Sequence, residues 1–249
     1  MKGKVVIMDV FKNKVVVVAI RIIVVIFLGL FILNISSLVM MFSLVSPDLL
    51  KSKPWLGGFS THTTMLVLSV LIMLALSKGK IATYGFKLAR NIQLKRIVLL
   101  SLVIGIIGTL IQSCIPREET AFSFLGDYSF IQIMIFVWIY ASICEEVLTR
   151  GLIQGCLEPL TKFGFSVFKL HISLPVLISA LFFAFMHIML LTTGMGNATV
   201  FIIVLFAFIL GIIAGYYRQK TESLIPAIIV HMFFNIGGTC AGLLTGLPV

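Results

Sequence analysis

The chain predicts an all-α, polytopic integral membrane helix bundle of about seven transmembrane helices. Three observations carry this. Hydrophobic residues make up 60% of the 249 positions, and the mean hydropathy is +1.17, whereas soluble domains are about 45–50% apolar. Charged residues amount to only 11% and cluster between apolar runs. The basic residues also fall in alternate connections, as the positive-inside rule requires of a membrane bundle.

An apolar stretch of about 17–25 residues spans a bilayer as a helix. Seven stretches qualify, at roughly 15–45, 62–77, 97–115, 129–157, 173–192, 198–217 and 223–245. The first follows Lys2, Lys4, Lys12 and Lys14. At about thirty residues it exceeds the ~7–15-residue core of a cleaved signal peptide, so it is read as a retained helix, either tilted or kinked near Ser36 and Ser37. The second is short. The third follows Lys95 and Arg96, and the fourth is interrupted by charge. The fifth opens after Lys162 and Lys169, and the sixth and seventh are separated by Arg218 and Lys220. A partly inserted eighth segment near 118–127 has a weaker apolar signal.

With the N-terminus inside, the cytoplasmic segments hold sixteen of the nineteen basic residues, leaving Lys51, Lys53 and Arg117 outside. The expected location is the plasma membrane, N-terminus cytoplasmic and, for seven spans, C-terminus out; uncharged Pro248-Val249 does not decide the last point. The net charge of +10 is then a topogenic signal and not a nucleic-acid footprint, because no basic stretch interleaves with aromatics. Cys114, Cys144, Cys156 and Cys240 show no metal-ligand spacing and read as small core residues. Asn34-Ile-Ser36 lies in an apolar run, and Asn197-Ala-Thr199 is informative only in a glycosylating host. Gly211 and Gly215 form a GxxxG that allows close helix packing. The longest polar connection is about 20 residues and no repeat is visible, so residues 1–249 are read as one membrane domain.

Glu145 and Glu146 interrupt the fourth span, with Arg150 one turn on. Charges at membrane depth are costly and therefore usually functional. Glu146 and Arg150 stand at i,i+4 and can pair. Glu145 points about 100° away, has no such helical partner, and is left for general-base work. The plainer alternative is that both glutamates cap a helix end in headgroup water; the apolar Val147, Leu148, Leu152 and Ile153 beyond them argue against it. His187 lies in the fifth span, and His231 and Asn235 share one face of the seventh. Either histidine alone is as easily a packed, hydrogen-bonded residue. Together with the glutamates, these groups point to a wet cavity inside the bundle, where Glu145 and His187 deprotonate water and His231 and Asn235 hold an oxyanion. Glu145, His187 and His231 form instead a His₂Glu zinc set in the alternative, though no HExxH fixes two ligands on one helix. His62 and His171 fall at span ends and read as interfacial.

Glu145-Glu146-x-x-x-Arg150-Gly151, Phe183-x-x-x-His187 and His231-x-x-x-Asn235 resemble, in order, the three motifs of the CPBP (Abi) family, the intramembrane peptidases related to the Rce1-type CAAX prenyl protease. Phe208-x-x-Gly211-x-x-x-Gly215, Thr221-x-Ser223-Leu224-x-Pro226 and Tyr84-Gly85-Phe86 agree with it. The motif-bearing part is about 130–236. The resemblance implies an intramembrane endopeptidase acting on peptide or lipidated-protein substrates, in prenyl-protein, pheromone or bacteriocin processing. It implies Glu145 as base, Glu146 and Arg150 in support, His187 assisting, and His231 with Asn235 at the oxyanion. No cofactor is expected on this reading, zinc being the alternative. The competing functions are a non-catalytic immunity or scaffold protein of the same fold and a proton-coupled carrier; a carrier is expected to show an internal repeat, and none is seen. Substrate and oligomeric state are not encoded in any motif.

Overall fold

The computed structural model describes residues 14–42, 47–89, 92–115, 128–167 and 170–246. Lys2, Lys4, Lys12, Arg90, Arg117, Lys169, Pro248-Val249 and the segment near 118–127 lie outside them. Seven helices are long and apolar enough to cross a membrane. The protein is therefore an integral, multi-pass, all-α membrane protein. Its elements are α1 (Lys14–Met41), a short α2 (Pro47–Ser52), α3 (Trp55–Ser77), α4 (Leu94–Ser113), α5 (Phe130–Leu160), α6 (Leu174–Met186, continued by 3₁₀ turns over His187–Thr193), α7 (Asn197–Thr221) and α8 (Leu224–Thr245). A small antiparallel hairpin, β1 (Gly164–Val167) with β2 (Leu170–Ser173), joins α5 to α6.

The expected spans coincide with the seven long helices, with one consequential difference. α3 begins at Trp55, seven residues before the expected start at 62. The first turns carry two glycines and a run of hydroxyls from Ser60 to Thr64, and the helix satisfies the threonine hydroxyls internally. Thr61, Thr63 and Thr64 donate their hydroxyls to the carbonyls of Gly57, Phe59 and Ser60 at 3.0, 2.6 and 2.9 Å. α1 runs as one helix through Ser36 and Ser37, with Ser36 Oγ donating to Ile32 O at 2.8 Å. A side chain that bonds its own helix exposes no polar atom to lipid.

α5 is the axis of the bundle. Every residue from Val147 to Ile153 is buried. On one side a core forms from Val25 and Ile32 of α1, Met65 and Met73 of α3, Val147, Leu148, Leu152 and Ile153 of α5, and Phe182 of α6. On the other side Ile97, Phe183, Ala184, Leu210, Ala214 and Val230 join α4, α6, α7 and α8. The outward faces are apolar as well: Phe27, Leu99 and Phe201 are 73%, 64% and 65% exposed, as suits lipid contact. Cys144 is buried in the first core as expected, whereas Cys114 and Cys240 are exposed. The cytoplasm-facing turns expected around Tyr84-Gly85-Phe86 and Thr221-x-Ser223 meet each other. Leu224 N donates to Gly85 O at 2.9 Å, Ser223 Oγ to Lys87 O at 2.5 Å, and Lys87 pairs with Glu222 at 2.5 Å. The hydrogen bond from Lys87, and then its positive charge, lower the Glu222 carboxyl from its ordinary value.

Helix approach depends on small residues. A Cβ at Gly211 would lie 2.9 Å from Ala180, and one at Gly215 would lie 3.1 Å from Val176, so the GxxxG packs α7 against α6 within the chain. The tightest crossing is α4 on α8. A Cβ at Gly105 would stand 2.1 Å from the carbonyl oxygen of Phe234, and one at Gly237 would stand 2.4 Å from that of Leu102. Backbone cannot yield as a flexible side chain does. Gly105→Ala is therefore expected to lower the thermal midpoint of the detergent-solubilised protein, with an overpacking cost of about 1–3 kcal/mol. A midpoint equal to that of the wild type would show that α4 and α8 can separate freely.

Candidate active site

The site is built where α5 leaves regular geometry. Residues Ile133–Ala141 and Val147–Ile153 are π-helical, and the α-helical Ser142–Glu146 lies between them. π-turns widen a helix locally and often mark functional positions. Within the α-helical stretch Glu145 and Glu146 diverge as the helix wheel demands. The side chain of Glu146 is 0% exposed, and that of Glu145 is 14% exposed.

Glu146 is paired through Oε1 with its own helix and with α8, while its Oε2 has no hydrogen-bond partner among the described residues. Arg150 Nη1 donates to Glu146 Oε1 at 3.0 Å and to Thr149 Oγ1 at 2.5 Å. His231 Nδ1 donates to the same Glu146 Oε1 at 3.0 Å. The guanidinium also lies 4.7 Å from the centroid of Phe183 on α6. Gly211 of α7 leaves it room, since a Cβ there would stand 3.1 Å from Arg150 Nη2. Phe183 in turn meets His187 and His231 edge to face, at 4.9 and 5.3 Å between ring centroids. One buried ion pair thus positions both histidine rings through a single aromatic.

His187 stands where α6 tightens from α to 3₁₀. Its Nδ1 donates to Phe183 O at 2.8 Å. A carbonyl only accepts, so the neutral ring carries its proton on Nδ1 and presents a bare Nε2. His231 turns Nε2 towards Glu145, 3.7 Å from Oε2. Asn235, read from the sequence as an oxyanion donor, has its Nδ2 donating to Val137 O and to Ser142 Oγ, both at 3.3 Å, tying α8 to α5.

Glu145, His187, His231 and Asn235 line one cavity of about 200 Å³. Glu145 supplies its one carboxylate among the described residues; the remaining walls include Phe59, Phe136 and Tyr140, with Phe59 stacked on Tyr140 at 5.3 Å. Glu146 and Arg150 are sealed behind it. Sequence reasoning missed one member. His62, expected at an interface, lies in the cavity wall, and its Nε2 is 3.1 Å from Glu145 Oε1. Glu145 therefore does have a partner, from α3 and not from its own helix. The signal was the polar run Gly57-Gly58-x-Ser60-Thr61-His62-Thr63-Thr64, which reads as a loop until its hydroxyls are folded back on the helix. His171 is on β2, exposed, and bonds Thr161 O at 3.3 Å, away from the site.

The expected alternative zinc set was Glu145, His187 and His231. Among the described residues no three His, Cys, Asp or Glu side chains converge closely enough to hold an ion. Nδ1 of each of these two histidines is committed to a protein acceptor, which leaves Nε2 as the nitrogen that faces the cavity.

Residues 127–237 match the Rce1-like family model, the type II CAAX prenyl endopeptidases. The matched stretch is less than half of the chain and contains all three motifs, from Glu145 to Asn235. It names the same family as the motif resemblance. At the family level it supports CAAX-type intramembrane endopeptidase activity. No curated protein and no solved structure gives a significant match.

Breaking a buried ion pair by removing one partner typically costs roughly 3–5 kcal/mol, because the survivor is left charged and unpaired. Glu146→Gln and Arg150→Ala are accordingly expected to lower the thermal midpoint in detergent along with any activity. Wild-type melting of both variants would refute a structural role for the pair.

Proposed function

We propose that the protein is an intramembrane endopeptidase that hydrolyses peptide bonds of membrane-associated substrates with a water activated by Glu145. The observation that carries this reading is the division between the two glutamates. Glu146 is sealed and doubly hydrogen-bonded, whereas Glu145 faces a cavity shared with His187, His231 and Asn235. A cavity of this size admits a substrate peptide group beside a water.

In the proposed sequence Glu145 takes a proton from water, with the bare Nε2 of His187 orienting that water. The hydroxide adds to the scissile carbonyl carbon, and the carbonyl oxygen becomes an oxyanion. His231, when protonated on Nε2, donates to that oxyanion. Asn235 joins it by releasing one of its two bonds to α5. The tetrahedral intermediate collapses with cleavage of the C–N bond, and Glu145 returns its proton to the leaving amine. Arg150 and Glu146 touch no substrate in this scheme and hold His231 in place. The scheme draws every proton and hydrogen bond from side chains of the chain itself and calls on no bound metal. The motif resemblance supports a lipidated-protein, pheromone or bacteriocin-type peptide as substrate, and the distribution of basic residues supports a plasma-membrane protein with a cytoplasmic N-terminus. On this reading residues 1–249 form one membrane domain around the 130–236 core.

Glu145→Gln, which keeps shape and removes the base, is expected to abolish hydrolysis of a membrane peptide substrate at unchanged membrane abundance. Wild-type turnover in that variant would remove Glu145 from the mechanism. An inactive wild type of normal abundance would favour the scaffold or immunity role instead. Purified protein is further expected to contain no stoichiometric metal and to keep its activity in a strong chelator. One zinc per chain, with chelator-sensitive activity that zinc restores, would overturn the metal-free route and leave the peptidase reading standing.

A further inference from the structure

The cavity contains a side chain that the three motifs do not include. His62 sits on α3, two turns into the helix, and both of its ring nitrogens are engaged. Nδ1 lies 2.7 Å from the carbonyl oxygen of Gly58, one turn back on the same helix. Nε2 lies 3.1 Å from Glu145 Oε1. Neighbouring side chains brace the helix there: the Thr63 hydroxyl on α3 and the Tyr140 phenol on α5 are hydrogen-bonded at 2.6 Å, and Trp55 stacks on Phe136 at 4.7 Å between centroids.

Proton bookkeeping at this ring is restrictive. The Gly58 carbonyl only accepts, so Nδ1 bears a proton. Glu145 must be ionised to act as a base, and an ionised carboxylate also only accepts, so Nε2 bears the second proton. Charge balance points the same way. Arg150 answers Glu146 inside the bundle, and without a cation beside it Glu145 would be an uncompensated carboxylate at membrane depth. The groups that face Glu145 are His62 at 3.1 Å, His231 at 3.7 Å and, across the cavity, His187.

We infer that His62 is a positioning residue of the active site: from Nε2 it donates a charge-assisted hydrogen bond to Oε1 of Glu145 and leaves Oε2 turned to His231 and the reacting water. The inference rests on the reading of Glu145 as the base. It adds a fourth helix, α3, to the α5, α6 and α8 that bear the motifs. The Gly58 bond fixes the ring plane, so the ring cannot rotate away without losing a bond. Oε2, the oxygen that is not held, is then the one available to take a proton from water.

Three variants in the full-length, detergent-solubilised or liposome-reconstituted protein test this. His62→Ala is expected to reduce kcat by about a hundredfold, the scale of a mispositioned catalytic group, with KM unchanged and with a lower thermal midpoint, because Glu145 loses the cation beside it. His62→Gln, which restores a neutral donor of similar reach, is expected to recover part of the loss, as is free imidazole added to His62→Ala. A residue that only packs α3 against α5 would not be rescued by imidazole. With ¹⁵N-labelled histidine, the wild type is expected to show His62 protonated on both nitrogens, with the Nε2 proton far downfield and lost in Glu145→Ala. Wild-type kcat in His62→Ala, while Glu145→Gln is inactive, would overturn the role of His62 and leave the peptidase reading intact. A His62 Nε2 without a proton would overturn it whatever the turnover. Full activity in Glu145→Gln would remove both together.

Discussion

Glu146 and Arg150 form an ion pair with neither side chain exposed, inside a bundle of membrane-spanning helices. Insertion scales put an unpaired charge at the centre of a transmembrane helix at roughly 2.5–3.5 kcal/mol. Spacing at i,i+4 lets the pair close as soon as α5 is helical, before any other span has packed, so the helix enters the bundle carrying a neutral unit. The pair then acts as an anchor. Its carboxylate oxygen accepts from His231, its guanidinium lies on Phe183, and through these α8 and α6 are registered against α5. The rings of His187 and His231 are therefore placed by groups that do not themselves reach the cavity.

Such an anchor works only if the helices come close enough to reach it. Helix association in a bilayer draws little on the hydrophobic effect and depends on close packing. The glycines supply it where the site needs it. Gly211 opens space beside Arg150, while Gly105 and Gly237 bring the backbones of α4 and α8 into contact behind the cavity wall. A GxxxG in a single-span protein commonly serves dimerisation; here both glycines of that motif are consumed by α6 and α5 of the same chain.

The spans were legible because hydropathy is a sum over some twenty residues, and local exceptions average out. The Glu146–Arg150 pair was legible because both partners lie on one helix at fixed spacing. What stayed hidden depends on contacts between helices or on backbone departures. His62 and Glu145 are 83 positions apart, and the polar run that carries His62 depresses the hydropathy at the very place where α3 begins. The π-helical stretches of α5 leave no trace in an apolar sequence, although they flank the glutamates. Asn235 lines the cavity as its helix face implied, but its contacts were not legible, since its acceptors are a backbone carbonyl and a serine of another helix.

The adjacency of the two glutamates has a physical logic that either residue alone would lack. Successive positions on an α-helix differ by about 100°, so one carboxylate can face the packed interior while its neighbour faces a cavity. The interior one is held by Arg150 and fixes His231. His231 is also 3.7 Å from the cavity-facing one, so the same imidazole is set by Glu146 through Nδ1 and faces Glu145 through Nε2. A substitution at Glu146 therefore reaches Glu145 by two routes: along one peptide unit of α5, and across the His231 ring. Moving the base one position along the helix would break this arrangement even with every residue type retained. The cavity carboxylate would then lie on the face of Arg150, and the sealed one would have no cation within reach. The order of the two roles along α5, cavity first and anchor second, is thus set by the position of the arginine four residues beyond the second glutamate.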